Sequence, residues 1–368
     1  MELVVRKNDL LRELQLFQGI VERKNTIPIL ANVLIDAKAD QVSLLATDLE
    51  VGLRSTCAAT VKKPGTITLP AKKFYEIVKS LPETDIRVAD DKGGVKIEAD
   101  QFQSRMQTLP REDFPSLPEP GGATTAALPR SAVKEMVAKT QFAITGEDTR
   151  YFLNGALFVL RPGDMSLVAT DGHRLALVSM SRDAKGGDEN RAILPKKTLG
   201  ELGRLLMEGD SGDVSYERGE NHLFFKTDGR LLISRMIDGQ FPAYERVIPK
   251  GNDKHIEFER DRLTNAVKRV QILSNDRSRA VKIQIEKGKV EITSSSPDVG
   301  EARETLSVDY SGAPMQICFN AQYVLDFLSA VASDIVSLDL KDEVSQAVMK
   351  PVGAEGYDYT YVIMPMRV

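Results

Sequence analysis

A chain of 368 residues is too long for one ordinary hydrophobic core and fits two or three domains. Apolar residues at 42% and charged residues at 28% exclude disorder on a large scale, and no apolar run approaches the roughly 18 residues that a bilayer span needs. The formal net charge of −4 weighs against a DNA-binding domain of the usual strongly basic kind, and only two cysteines, Cys57 and Cys318, are present, each in a strand-like apolar segment. A disulfide framework or cysteine metal site is therefore not expected, and both are read as buried packing residues. The N-terminus MELVVRKNDLL lacks the apolar stretch of a secretory signal, so the expected location is the cytoplasm.

In chain order, RKNDLLRELQLFQGI (6–20) has a polar start and then apolar residues at helical spacing, which predicts an amphipathic helix. Alternating runs ILANVLIDA and QVSLLAT predict strands, the second ending at Ala46-Thr47-Asp48. TITLP then leads into a helix over 71–80, with Pro at its start. This first stretch closes at Phe114-Pro115, and the Pro/Gly-rich run around 117–126 reads as a linker. The same plan follows again. A helix is expected over 130–141, strands in LFVLRPGDMSLVAT ending at Ala169-Thr170-Asp171, AILP before a helix over 196–208, and a close at Phe241-Pro242. After VIPKGND (247–253) comes a third round: a helix over 259–270, strands in VKIQIEKGKVEIT, ICFN before a helix over 321–332, and Met364-Pro365 near the end.

The helix-start segments at Leu69-Pro70, Leu194-Pro195 and Phe319-Asn320 are spaced by 125 residues, the two Ala-Thr-Asp turns by 123, and the two Phe-Pro pairs by 127. Leu10, Val133 and Leu263 occupy equivalent helix positions. A period this long marks a duplicated domain and not a solenoid, whose repeats run to about 20–50 residues. The expected fold class is α+β, three domains of two helices and about eight antiparallel strands each, with boundaries at 1–122, 123–249 and 250–368.

With three such domains in one chain, TDGHRLAL in the middle one, YVIMPMRV at the end, and the fragments PILANVLI, RYFLNGALF, DGQFP and ILSND in order along the chain, the sequence resembles the bacterial sliding clamps, the DNA polymerase III beta subunits, from end to end. The resemblance implies a DNA clamp fold. It implies a head-to-tail homodimer closed into a ring of six domains, with double-stranded DNA through the hole. Such a protein is no enzyme and takes no cofactor or metal. Its implied partners are a second copy of itself, the replicative DNA polymerase alpha subunit, a clamp loader, and other polymerases, ligase and mismatch-repair proteins that share a peptide motif; no membrane is involved.

The six expected helices carry sixteen Lys/Arg against nine Asp/Glu, a net of +7 that leaves −11 for the rest. A ring lined by these helices would offer phosphates a positive face while its outside repelled them. Candidate lining residues are Arg12, Lys72, Lys79, Lys134, Lys139, Lys196, Lys197, Arg204, Arg262, Lys268 and Arg269. The plain alternative is the charged wet face common to amphipathic helices. Arg23 and Lys24 fall where the family has a basic DNA-contacting loop. Phe152 and Arg150, beside Tyr151, lie in the corresponding loop of the second domain and are candidate DNA contacts; the Phe152 ring could stack on a base or sugar or serve the core.

The resemblance also implies a groove for a short peptide bearing a Gln and apolar side chains. Its first wall is Leu153, Thr170, Gly172, His173, Arg174, Leu175, Pro242, Arg246 and Val247. The opposite wall is Tyr323, Val344, Gln346, Met364, Pro365, Met366 and Arg367, with Val362 beneath. Flexible, polarisable Met suits a groove that takes varied anchors, and Arg174, Arg246 and Arg367 are expected to rim it with donors. Gln346 stands where the family often has a small hydroxyl residue, and Val368 where Leu is common. For ring closure the matching residues are Ile272 and Leu273, facing a first-domain surface with Met106 and Lys73; ordinary helix-end core is the other reading of Ile272 and Leu273.

Two rival functions are weighed. Gly209-Asp210-Ser211-Gly212 spells a string found around protease nucleophiles, but a nucleophile needs a positioned base and acid, and His173, His222 and His255 come with no such partners in sequence. A scaffold that assembles proteins without DNA is the other, distinguishable because it need not close into a ring.

Overall fold

The computed structural model describes residues 1–21, 26–91, 93–122, 126–146, 148–183, 188–209 and 211–367. Its six α-helices are α1 (Lys7–Phe17), α2 (Ala71–Ser80), α3 (Arg130–Thr140), α4 (Lys196–Leu205), α5 (Arg260–Val270) and α6 (Ala321–Ala330). The helices α2, α4 and α6 therefore repeat at the 125-residue spacing read from sequence. So do the strands that lead into them, Gly65–Pro70, Asn190–Pro195 and Met315–Asn320. Pro70 precedes α2 and Pro195 precedes α4, where a missing N–H costs nothing, while at α6 the Asn320 side chain accepts from the Gln322 amide at 2.9 Å. Leu10, Leu14 and Phe17 bury one stripe of α1, and Leu10, Val133 and Leu263 are all buried at the same helical position.

All strand pairings among the described residues are antiparallel, and the chain packs as two compact units. The first holds residues 1–134 and 197–236. Its larger sheet runs in the order Ala126–Pro129, Asp213–Arg218, His222–Thr227, Arg230–Arg235, Val51–Ala58, Gln41–Thr47, Asn32–Lys38, Gly65–Pro70. Strands from the second repeat thus continue a sheet of the first, joined where Leu231–Ser234 pair with Val51–Arg54. A smaller sheet, Thr60–Lys63, Glu2–Arg6, Asp85–Asp91, Gly94–Ala99, Phe102–Met106, completes the unit, with α1 packed on α2. Behind the larger sheet's joint, Glu13 on α1 and Arg230 are buried together, at 2% and 3% exposure, through two hydrogen bonds of 2.7 and 2.8 Å. The Ser55 hydroxyl also donates to Glu13.

The second unit holds residues 135–196 and 237–368 and repeats this plan. Its larger sheet runs Asn190–Pro195, Gly155–Arg161, Asp164–Thr170, Arg174–Ser181, Asp358–Ile363, Ala347–Pro351, Ile335–Leu340, Lys254–Glu259. The four-stranded sheet Gly300–Ser307, Lys289–Ser296, Ala280–Glu286, Met315–Asn320 carries α5 packed on α6.

Some expectations change. The stretch read as a bare linker is docked over residues 117–121: Leu117 packs on Phe224, Leu231 and Ile233, and Arg54 takes Glu119 in a two-pronged ion pair. Cys57 is buried as expected, and burial pushes its thiol up to about 12, but Cys318 is only half-buried. No helix is long and apolar enough to cross a membrane, and no cluster of three or more metal-ligating side chains occurs among the described residues.

Candidate functional site

The groove residues named from sequence come together in the second unit, and strand register explains why. Strand Arg174–Ser181 pairs with Asp358–Ile363 so that Arg174 faces Ile363 and Leu175 faces Val362. The turn before the one strand, Thr170 to Arg174, therefore meets the segment after the other, Met364 to Arg367. The contact is fixed by the Met364 amide, which donates to the His173 carbonyl at 2.9 Å, and the Met366 amide donates to the Cys318 carbonyl at 2.8 Å. Ala347 pairs with Ile363, which brings the turn carrying Val344 and Gln346 to the same end of the sheet.

Beneath lies an apolar floor of Leu175, Val362, Leu157, Val168, Val348 and Tyr244, with Phe152 and Phe241 packed against it. Leu153 is buried too. The segment 242–247 is held to this floor by Tyr244 and folds as a short 3-10 turn, Tyr244–Arg246, which leaves Arg246 and Val247 exposed. Exposed Val247, Met364 and Val344, the last at 65%, thus stand over a buried apolar floor. Water-facing apolar groups beside a buried apolar floor favour an apolar ligand.

Arg174 is a correction. Expected as a rim donor, its side chain is buried and its donors are taken: it pairs with Asp171 at 3.1 Å and with Asp326, and donates to the Phe142 carbonyl at 2.7 Å. Its guanidinium lies 4.3 Å from the Tyr323 ring centre and 5.3 Å from that of Phe142. Burial works against its charge, but Tyr361, Asp326 and Asp171 outweigh it and raise its pKa. Arg174 is a strut that fixes the turn to α6, leaving Arg246 and Arg367 as exposed donors. Arg150, assigned to DNA from sequence, lies against this turn, its guanidinium 3.3 Å from where a Cβ on Gly172 would stand. It also holds the Asp148 carboxyl down at about 2 through a two-pronged hydrogen bond.

The basic helix residues divide by surroundings. Lys72, Lys79, Lys196, Arg204, Arg262, Lys268 and Arg269 are exposed, as is Arg12. Lys196 donates to the Ile144 carbonyl, Arg204 pairs with Glu201, and Arg269 with Glu304 through two bonds. Lys197 is tied to Asp48 and to the Ile20 carbonyl, and Lys134 is half-buried. Lys139 is not a lining residue: it is 3% exposed, donates to the Ala330 carbonyl at 3.1 Å, and sits 4.3 Å over the Tyr357 ring. Phe152 takes the core alternative, half-buried against the groove floor. Arg23 and Lys24 lie outside the described residues, as do Val368 and Asp210 of the protease-like string.

At the expected seam, Ile272 is bare, with 74% of its surface exposed, and Leu273 is half-buried, which removes ordinary core packing as the account of Ile272. Met106 is corrected: it is buried, on the inward-facing side of its strand, while Lys73 is exposed and paired with Glu76 at 2.8 Å. Strands Phe102–Met106 and Gly300–Ser307 each end a sheet, with a partner on one side only among the described residues.

Comparison with known proteins decides the family. Models of the N-terminal, central and C-terminal domains of the DNA polymerase III beta subunit match residues 1–118, 127–243 and 245–367. The beta sliding clamp of Pseudomonas putida is 40% identical over the full length of both chains, and that of Escherichia coli K12 is 36% identical, also over both full lengths. A crystal structure of a sliding clamp from Pseudomonas aeruginosa superposes with a TM-score of 0.94 at 36% identity, covering both chains entirely. The chain belongs to the DNA polymerase III beta subunit family.

It is accordingly a DNA sliding clamp with a clamp fold of three domains, a non-catalytic subunit whose partner classes are DNA, a DNA polymerase and its own copies. Sequence reasoning missed the residues that hold the candidate groove: Asp326 and Phe142, which fix Arg174, and Tyr244 and Phe241 in and against the floor. Only Phe241 had a signal, as half of the repeated Phe-Pro pair. Asp326 lies 152 residues from Arg174, and nothing in local sequence announces that pairing.

Proposed function

We propose that two copies close head to tail into a ring around duplex DNA and that each carries one groove, in the second unit, for a partner peptide with a Gln and apolar anchors. The repeat boundaries proposed are 1–122, 123–249 and 250–368. Ile272 and Leu273 meet the edge strand Phe102–Met106 and Lys73 of the partner copy, which pairs two otherwise open edges. Exposed helix Lys and Arg hold phosphates without reading bases, so the ring slides. The groove wall comprises Thr170, Gly172, His173, Pro242, Arg246, Val247, Tyr323, Val344, Gln346, Met364, Pro365, Met366 and Arg367 over Leu153, Leu175 and Val362. The polymerase alpha subunit, the clamp loader, and other polymerases, ligase and mismatch-repair proteins compete for it in the cytoplasm.

What supports this reading is that exposed Val247, Val344 and Met364 stand at the same end of the sheet as a buried apolar floor. The test of the ring is retention on DNA. Loaded by a clamp loader, the protein stays on nicked circular DNA through gel filtration in high salt and runs off the same DNA once linearised. Equal loss from both forms would show that the linkage is not topological.

A further inference from the structure

The repeat places a counterpart of the groove in the first unit. Its turn Thr47 to Val51 reproduces the turn Thr170 to Arg174 bond for bond. Thr47 Oγ1 donates to the Val51 carbonyl at 3.0 Å, and Thr170 Oγ1 to the Arg174 carbonyl at 2.7 Å. Asp48 Oδ1 accepts from the Glu50 and Val51 amides at 2.9 and 2.7 Å, and Asp171 Oδ1 from those of His173 and Arg174 at 2.9 and 3.0 Å. Leu49 is held at φ 79°, in the left-handed region where its counterpart Gly172 sits at φ 87°.

The register continues. Val51 faces Ser234 and Gly52 faces Ile233, as Arg174 faces Ile363 and Leu175 faces Val362; Phe224 then pairs with Ile233 as Val348 does with Val362. Gly52, Ile233 and Phe224 are therefore the counterparts of Leu175, Val362 and Val348, three residues of the groove floor.

This second floor is covered. Leu117 packs on Phe224, Leu231 and Ile233, and a Cβ on Gly52 would stand 2.7 Å from Leu117 Cδ1. Where the open groove has a leucine side chain, the first unit has bare backbone, and a leucine from elsewhere in the chain fills the space. The repeat counterpart of Leu117 is Tyr244, which packs in the floor of the open groove, but the two are built differently: Tyr244 opens a 3-10 turn that leaves Arg246 and Val247 exposed as a wall, whereas residues 115–121 carry no helical turn. The segment is pinned on the C-terminal side of the leucine, by Arg54 on Glu119, with Arg54 Nη1 2.8 Å from Glu119 Oε2, and by the Gly121 amide on Glu217 at 2.5 Å.

We propose that the segment Pro115–Gly121 is a built-in occupant of a second peptide groove, closing it in cis so that each chain offers partner peptides one open groove and not two. This rests on the peptide-groove reading above. Leu117 takes the place of a peptide's apolar anchor, and the Arg54–Glu119 pair holds the segment down.

The test is stoichiometry, by fluorescence titration with a labelled pentapeptide carrying one Gln, two Leu and one Phe. The parent binds one peptide per chain, and deletion of Met364–Val368 reduces this to none. Releasing the segment with Leu117→Ala and Glu119→Ala gives two per chain, and one when combined with the deletion; Leu117→Met, which keeps an apolar plug, stays at one. Gly52→Leu, which evicts the segment by filling its space and restores the residue of the open groove, gives two by an independent route and decides the matter if the double variant fails to fold. A count that stays at one in both the released and the Gly52→Leu proteins, falling to none on deletion, overturns the inference while leaving the groove reading intact. A parent whose peptide survives the terminal deletion overturns the groove reading instead.

Discussion

Glu13 and Arg230 are 217 residues apart and almost wholly buried against each other, an arrangement that neither residue's neighbours in sequence foretell. Replacing Arg230 leaves the Glu13 charge buried with only the Ser55 hydroxyl and the exposed Arg12 beside it, which costs up to about 3–5 kcal/mol. Arg230→Met is therefore expected to lower the stability of the first unit by about that amount in urea unfolding; a change under about 0.5 kcal/mol would show the pair to be incidental. The pair also sets a pH dependence. Hydrogen bonds from Arg230 and Ser55 overcome the burial of Glu13 and lower its pKa from the ordinary 4.5. A carboxyl with a depressed folded pKa contributes stability that is full above its unfolded value and lost as pH falls through the folded one. The stability gap between parent and Glu13→Gln should thus be constant above about pH 5 and shrink below 4.5; a gap that widened on acidification would reverse the assigned sign. The same blindness to distant partners explains Lys139 and Arg174. Both look like free cations in sequence, because the Tyr357 ring and Asp326 that occupy them lie elsewhere in the chain.

Elements were more legible than side-chain partners. All six helices fall where apolar spacing puts them, because one buried stripe on a wet cylinder is a local pattern. The 125-residue spacing of Pro70, Pro195 and Asn320 marked the starts of α2, α4 and α6. Strand partnership was not legible, since Leu231–Ser234 and Val51–Arg54 carry nothing that names each other, and a Pro/Gly-rich run reads as linker whether or not a leucine in it is docked. The strut at Arg174 belongs to this scale because it joins a turn, α6 and the Phe142 backbone. Arg174→Met keeps much of the volume and removes the charge, leaving Asp171 and Asp326 without it. Peptide affinity should fall roughly tenfold or more, the equivalent of about one charge-assisted hydrogen bond's worth of lost preorganisation, while dimer mass is unchanged. Anisotropy titration decides it: unchanged affinity would mean that the turn holds its shape without the strut.

At the scale of the whole clamp, the acidic mean hides helices with net positive charge, so that sequence alone reconciled −4 with DNA binding once the helices were counted separately. The seam is harder to read from one chain, because its evidence is what a single copy leaves uncovered: a bare Ile272, a half-buried Leu273 and two sheet edges with one neighbour each. A stable monomer would keep an isoleucine in water beside a strand edge able to recruit any other chain. Two-fold closure covers both, and light scattering should then report twice the chain mass of 40.6 kDa at micromolar concentration. Burying an aliphatic side chain is worth about 1.5–3 kcal/mol, less for Leu273, which its own chain already half covers. Each substitution falls at both seams of a closed ring. Ile272→Ala with Leu273→Ala should therefore raise the dimer dissociation constant by at least on the order of a hundredfold and yield monomer at concentrations where the parent has none. Because the substituted side chains lie outside the groove, the monomer should still bind one peptide per chain, which separates an opened ring from an unfolded protein. An undiminished dimer would place the seam elsewhere on the molecule.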